Sequence, residues 1–417
     1  MADSPNQNKS AESVSLKHIS KGVVAFAGSN SEAPFIEFPA DDYVVDEYDK
    51  CNINNIVMGE ERLSASENKS ELYIANPTVV GYGIDSLFNI TDMKEWSIRC
   101  SSCGEFVFLD FFKHVVRQIG NNEYLLLDEE WDEGTERDIY VVCDKCNKPL
   151  NRFVDGEWVN FNKSFKSGYH ISKLFSTNVS VFEIVDRFNR GLANDSIMQR
   201  FYNGDLGMAY TAPGAKITST ILDACKGIYH MPYYGISEDL KDKFVVMGAD
   251  IGTKIHVRIS EITKDDKYVA KYIGTVDDYD GIRDLYHEFS VKCGVVDAQP
   301  EVRLSKKIVA TLKMMFMCYY GTIKRELIDP RYKIVTVDRT STLDVVKEAI
   351  ILQKLVLPIN ADSMPEYYEH MQNLTRLHDE EKDKYDWVKS GPDHFFHAEA
   401  YSLLARKLYM MILSRGQ

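Results

Sequence analysis

No apolar run in this chain approaches the roughly 20 residues that a membrane span requires. The opening stretch "MADSPNQNKSAES" lacks the basic-then-apolar order of a signal peptide. Internal repeats and low-complexity tracts are missing too, which argues against repeat architectures. A surplus of positive charge is also lacking: 49 Lys and Arg stand against 63 Asp and Glu, a formal net charge of −14. That balance excludes a protein that coats nucleic acid by bulk electrostatics, although local basic grooves remain open to it. A disulfide framework is not expected either. Of the eight cysteines, Cys51, Cys225, Cys293 and Cys318 are scattered, and only the other four are paired in spacing. This usage suits a reducing compartment and a metal site.

The 417 residues are too many for one ordinary core, so two to three domains are expected. Residues 1–95 alternate short apolar strands with polar turns, as in "GVVAFAGS", "DYVVDEYD" and "ELYIANPTVVGYG". Residues 96–165 carry the paired cysteines among short strands. Residues 166–242 read as a helical connector, with "SVFEIVDRFNRGL" and "DSIMQRFYNGDLG" as its helices. From 243 to 417 the pattern is regular. "KFVVMGADIG", "KIHVRISEI" and "KYVAKYIGTV" form an antiparallel meander, followed by the helix "YDGIRDLYHEFSVK" and the strand "CGVVDA". The helix "SKKIVATLKMMF", the strand "KIVTVD", the helix "STLDVVKEAIILQKL" and a polar stretch lead to a closing helix. Three antiparallel strands followed by alternating helix and strand describe a mixed α/β layer fold.

"CSSCGE" and "CDKCNK" are knuckles of the zinc-ribbon kind, presenting Cys100, Cys103, Cys143 and Cys146. Gly104 and Asn147, just after the second cysteine of each pair, tolerate the unusual backbone angle there. Four thiolates suit one closed, tetrahedral, structural Zn²⁺, with no open position for chemistry. The charged excursion "LDEEWDEGTERD" lies between the pairs.

The closing helix is entered through "GPDHFFHAEAY". Asp393 and His397 are four apart, so both stand on one helix face at its entrance. Asp250 ends the first strand of the region, beside Gly248 and Gly252, where small residues let a ligand approach. Asp297 ends the fourth. Taken singly, the first two are ordinary strand-end residues and Asp393 an ordinary cap. If the fourth strand pairs beside the first, all three carboxylates converge at one sheet edge. Clustered carboxylates repel one another, and two Mg²⁺ or Mn²⁺ ions about 4 Å apart would relieve that repulsion and promote phosphodiester hydrolysis.

"DDYVVDEYD" has the form of a Walker B strand, in which Asp46 would hold Mg²⁺ at a nucleotide and Glu47 would orient water. No G-x-x-x-x-G-K-[ST] loop occurs anywhere, so the phosphate cradle and its lysine are missing. Near the carboxylates, Lys254 and Arg258 follow Asp250, and Arg303, Lys306, Lys307 and Lys313 follow Asp297; these basic groups are candidates for meeting phosphates near the metals.

"VVMGADIGTKIHV", "CGVVDA" and "GPDHFFHAEAY" together resemble the nuclease domain of the large terminase subunits of tailed bacteriophages, particularly the lambda-like class. "GEWVNFNKSFKSGYHISKLFS" is similar to the stretch after the cysteines, and "IANPTVVGYGIDSLFN" to the coupling motif of terminase motors, with Asn76 and Thr78 as the residues to watch. The resemblance implies a ribonuclease H-like mixed sheet with flanking helices at 243–417. Before it would come a zinc ribbon (96–165) and the C-terminal half of a P-loop-type ATPase (1–95). It implies an endonuclease that cuts concatemeric DNA during genome packaging, with Asp250, Asp297 and Asp393 as catalytic metal ligands. His397 stands where many relatives carry a further acidic residue, which makes it a ligand or a metal tuner. His394 and Glu301 have weaker claims. Expected partners are double-stranded DNA, a small terminase subunit, the portal protein and a separate chain carrying the N-terminal ATPase half. ATP would then be used only with that complementing Walker A half, and this chain alone is not expected to turn it over. An oligomeric motor in the host cytoplasm, away from membrane, completes the expectation. A non-catalytic zinc-ribbon assembly subunit, or another ribonuclease H-like nuclease such as a transposase or resolvase, are the alternatives.

Overall fold

A computed structural model describes residues 15–19, 22–115, 117–118, 124–125, 141–146, 148–231, 240–323, 325–379 and 384–415. The excursion "LDEEWDEGTERD" and Asn147 lie outside them. The chain divides into two compact units, Met1–Tyr210 and Thr211–Gln417.

In the first unit, the strand Asp42–Val45 pairs in parallel with Ser70–Tyr73. Phe35, Val45 and Ile56 close a small core beside them. The second sheet of this unit centres on Lys94–Arg99, flanked antiparallel by Phe106–Phe108 and Gly156–Asn160 and in parallel by Tyr169–His170. Helix Val181–Gly191 begins where the Ser180 side chain accepts the Glu183 N–H at 3.1 Å. Its Val181, Ile184, Val185 and Phe188, spaced at helical period, pack with Ile98, Phe111 and Phe201.

The second unit is built on an eight-stranded sheet. Its strands are β1 (Val245–Ile251), β2 (Ile255–Ile262), β3 (Tyr268–Val276), β4 (Cys293–Asp297), β5 (Met315–Tyr320), β6 (Leu327–Asp329), β7 (Ile334–Val337) and β8 (Leu355–Val356). They lie in the order β6-β7-β5-β4-β1-β2-β3-β8. β1, β2 and β3 are antiparallel neighbours, whereas β4 joins β1 in parallel and β5 joins β4 in parallel. The pairing assumed for the fourth strand is therefore present. Helices α1 (Tyr279–Glu288), α2 (Val302–Thr311), α3 (Arg339–Ile351), α4 (Tyr367–Gln372) and α5 (His394–Arg415) flank it, together with the hairpin β9–β10 (Leu374–Asp379 and Lys384–Lys389).

Strand periodicity assigns the two faces. Val245, Met247, Ala249 and Ile251 of β1 pack with Ile282 and Leu285 of α1 and Ile308 of α2. Val246 of β1 and Cys293 and Val295 of β4 pack instead with Tyr401, Leu404 and Leu408 of α5. The alternation puts Asp250 and Asp297 on the α5 side. Gly248 shares that side, and its role differs from the one expected. A Cβ there would come within 2.8 Å of the Tyr401 carbonyl carbon and closer still to the Ala398 oxygen and Ser402 nitrogen. The missing side chain admits the backbone of α5, not a ligand.

Two local readings change. "SKKIVATLKMMF" is not one helix: α2 stops at Thr311, Leu312 is extended (φ −98°, ψ 130°), and Met315 opens the buried strand β5. The "polar stretch" before the closing helix holds α4 and the β9–β10 hairpin.

Candidate metal centre

The α5 face of the sheet opens into a cleft of about 780 Å³. Asp250 from β1, Asp297 from β4 and Asp393 from the entrance of α5 all line it, with His394 and His397 from the first turn of α5. Asp250 is 6% and Asp393 4% exposed. Asp393 does initiate the helix, through its carbonyl, which accepts the N–H groups of Phe396 and His397. Its carboxylate turns into the cleft. There it accepts from His397 Nε2 at 3.2 Å and faces Lys389 at 3.7 Å and Arg339 at 4.0 Å. Burial would raise this carboxyl, but the His397 hydrogen bond and the His397, Lys389 and Arg339 charges bring it down to about 2.

The other side of the cleft is less compensated. Burial, and then the charge of Asp250, push the Asp297 carboxyl up to about 6 against the opposing Gln299 N–H. His394 Nδ1 meets the Asp250 carboxylate at 2.8 Å, and that bond raises the histidine. His397 is engaged at both ring nitrogens, with Asp393 and, at 2.9 Å, with the Tyr320 hydroxyl. The three aspartates share the cleft without forming one tight donor set. Among the described residues, the donor sets whose atoms all lie within 4.8 Å of one another are the four cysteines, Asp250–His256–His394 and His256–Glu366–His370.

Lys254 and Glu301 line the cleft, as do Arg339 and Lys389, which the sequence reading passed over. Lys306 and Lys307 are not among its lining residues; Lys307 sits over the Tyr279 ring at 4.1 Å. Arg258 is a correction. It is fully buried, 3.2 Å from Glu399, and its Nε donates to the Ser260 hydroxyl, so it is a core ion pair and not a phosphate contact. His256, Glu366 and His370 were missed. Burial, with neighbouring histidines, pushes both His256 and His370 below the usual imidazole value.

In the first unit the four cysteine sulfurs converge, with 3.8 Å between Cys100 and Cys146 and between Cys103 and Cys143. Gly104 takes a left-handed φ of 79°, which lets its N–H reach the Cys100 carbonyl at 2.9 Å. The cluster is consistent with zinc.

Asp46 and Glu47 follow the strand Asp42–Val45 and are exposed. The Glu47 N–H donates to Asp46 Oδ1 at 3.0 Å, and its carboxylate lies 3.6 Å from Lys50. Asn76 is exposed too. The buried acid of this region is Asp49, which accepts from the Thr78 amide (2.9 Å) and hydroxyl (2.7 Å) and from the Ile84 amide (2.6 Å). Asp49 thus ties the acidic strand end to the segment that carries Asn76 and Thr78.

Residues 1–157 match the model of the phage terminase large subunit gpA family, ATPase domain. That match makes the first 157 residues similar to the ATPase domain of phage terminase large subunits. Among solved structures, the large terminase of bacteriophage HK97 aligns over 93% of this chain and 77% of its own, at 10% identity and a TM-score of 0.43. The large terminase of a thermophilic bacteriophage aligns over 93% and 74%, at 10% identity and a TM-score of 0.29. A search of curated proteins finds no match. No helix of this chain, among the described residues, is long and apolar enough to cross a membrane.

Proposed function

We propose that the second unit is the metal-dependent DNA endonuclease of the packaging terminase, with a ribonuclease H-like sheet. Three antiparallel strands continued by parallel β4 and β5, with the acids on one face, support that reading of the fold. The observation that carries the function is the meeting of Asp250, Asp297 and Asp393 in one cleft, from elements far apart in the chain. Their carboxylates are oxygen donors of the kind Mg²⁺ and Mn²⁺ prefer, and burial first, then the charge of Asp250, raises the Asp297 carboxyl. The three aspartates would hold the metals, which supply Lewis acidity and an activated water for hydrolysis of a phosphodiester.

The chain's own residues do the rest. His397, braced by Tyr320, holds the Asp393 carboxylate in position, and we assign it as a positioning residue. His394 orients Asp250. Lys254, Lys389 and Arg339 give the cleft its positive groups, suited to the DNA backbone on either side of the reacting phosphate. In the first unit, the four cysteines would hold one structural Zn²⁺, and Asp46 and Glu47 would serve nucleotide hydrolysis. Double-stranded DNA, a small terminase subunit and the portal are the partners this function calls for.

Supercoiled plasmid, full chain and Mn²⁺ provide the test. Wild type is expected to nick and linearise the plasmid, and Asp250→Asn and Asp297→Asn to lower the rate by about 100-fold or more with the fold intact. Cleavage by both variants at the wild-type rate would overturn the assignment.

A further inference from the structure

Beside the aspartates the cleft holds a second group of donors. Asp250 and His256 are register partners across β1 and β2, so both point toward α5. Glu366 is the residue just before α4, and His370, four residues on within the helix, donates its N–H to the Glu366 carbonyl at 2.9 Å. One donor atom from each of His256, Glu366 and His370 lies within 4.8 Å of the other two, and the Glu366 carboxylate is 3.5 Å from His256 Nε2.

The two rings are buried and unsatisfied. His256 is 5% and His370 3% exposed, yet both nitrogens of His256 and Nδ1 of His370 lack a hydrogen-bond partner. A buried nitrogen without a partner is unfavourable, and a pair of such rings facing a carboxylate is poorly explained by packing. The adjoining set Asp250–His256–His394 is already occupied with itself, through the 2.8 Å bond between His394 and Asp250.

We infer that His256, Glu366 and His370 form a further divalent-cation site, separate from the three aspartates, that takes an ion of the Zn²⁺ class in preference to Mg²⁺. Two imidazoles and one carboxylate suit a borderline transition ion, whereas Mg²⁺ selects oxygen donors and dehydrates reluctantly. Three protein ligands leave a position open, and all three residues line the cleft. The site therefore offers an anionic oxygen a contact beside Asp250, whether or not the aspartates cut DNA.

The test is zinc content of the full chain after equilibrium dialysis against Zn²⁺, with excess Mg²⁺ present to fill the carboxylate cleft. Wild type is expected to hold two Zn²⁺, one on the four cysteines and one here. Glu366→Gln and His370→Gln should each weaken the second by about 10-fold or more, and Asp297→Asn should retain it. Glu366 is 48% exposed at its side chain, so Glu366→Gln remains informative even if His370→Gln does not fold. A wild type with zinc on the cysteines alone would overturn the inference. So would a second zinc unaffected by Glu366→Gln, or one that Asp297→Asn removes.

Discussion

Substituting Gly248 by Ala tests whether α5 rests directly on β1 and whether that seat sets the geometry of the cleft. The added Cβ would stand 2.8 Å from the Tyr401 carbonyl carbon and nearer to two other backbone atoms of α5. Ordinary carbon contacts begin near 3.5 Å, and backbone atoms inside a helix cannot swing aside, so the helix must retreat by roughly 1 Å. Overpacking of this kind is unfavourable by about 1–3 kcal/mol, a fall of roughly 2–12 °C in the melting of a unit this size. Asp393 and His394 ride on the first turn of α5 while Asp250 stays on β1, so the same retreat separates the acids. A misplacement near 1 Å can lower a rate by about 100-fold. Gly252→Ala is the control, because a Cβ there meets nothing closer than the Lys254 oxygen at 3.6 Å. Thermal melting and plasmid cleavage are measured together. If Gly248→Ala melts and cuts like Gly252→Ala, the proposed seat of the helix is wrong.

Glu399→Gln should destabilise the second unit by about 3–5 kcal/mol in urea titration, since it leaves Arg258 charged and buried, whereas Arg258→Met with Glu399→Leu should recover most of that loss. Equal stability of the single and double variants would count against a buried pair. Asp297 gives a pH signature in chelator. Its folded pKa is raised to about 6, above an ordinary value of about 3.9, so it favours the folded state while protonated, and that contribution disappears as pH rises through about 6. Asp297→Asn should therefore melt above metal-free wild type at about pH 8 and lose that advantage near pH 4, as differential scanning calorimetry would show. Cys103→Ser should lower zinc affinity by about 10-fold or more and expose the first unit to proteolysis; unchanged zinc content would remove the cysteines from the site.

Much of the second unit was legible because its signals are local. "VVMG" and "CGVV" are apolar runs that only buried strands accommodate, and an acid at the end of each marks the edge where the sheet meets solvent. The unread parts depend on partners remote in sequence. Arg258 looks like a surface cation until Glu399, 141 residues on, is placed against it. Apolar residues at 308, 309, 312, 315 and 316 continue a helical spacing, so only the extended Leu312 separates α2 from β5. Glu366 precedes and His370 lies on a six-residue helix, too short to show a period. Asp49 was passed over because Asp46 and Glu47 match the motif better, although Asp49 is the buried one.

The polar residues of β2 show why the cleft and the core beneath it are one construction. His256, Arg258 and Ser260 alternate with Ile255, Val257 and Ile259, so these three successive positions on one face of the strand carry polar groups toward α5. Toward the far end Ser260 meets Ser402 at 3.4 Å, in the middle Arg258 meets Glu399, and at the near end His256 stacks on His394 at 4.6 Å. Glu399 also accepts the Tyr367 hydroxyl at 2.7 Å, which binds the start of α4 to the same row. A helix held only by apolar contacts could slide along the strand with little penalty. These matched polar pairs fix its register, because a shift of one turn would leave Arg258 buried without Glu399. The register is also what brings Asp393 to Asp250. Removing the Arg258–Glu399 charge pair with apolar residues of similar volume should therefore preserve stability while loosening the cleft, so that cleavage falls more than melting does.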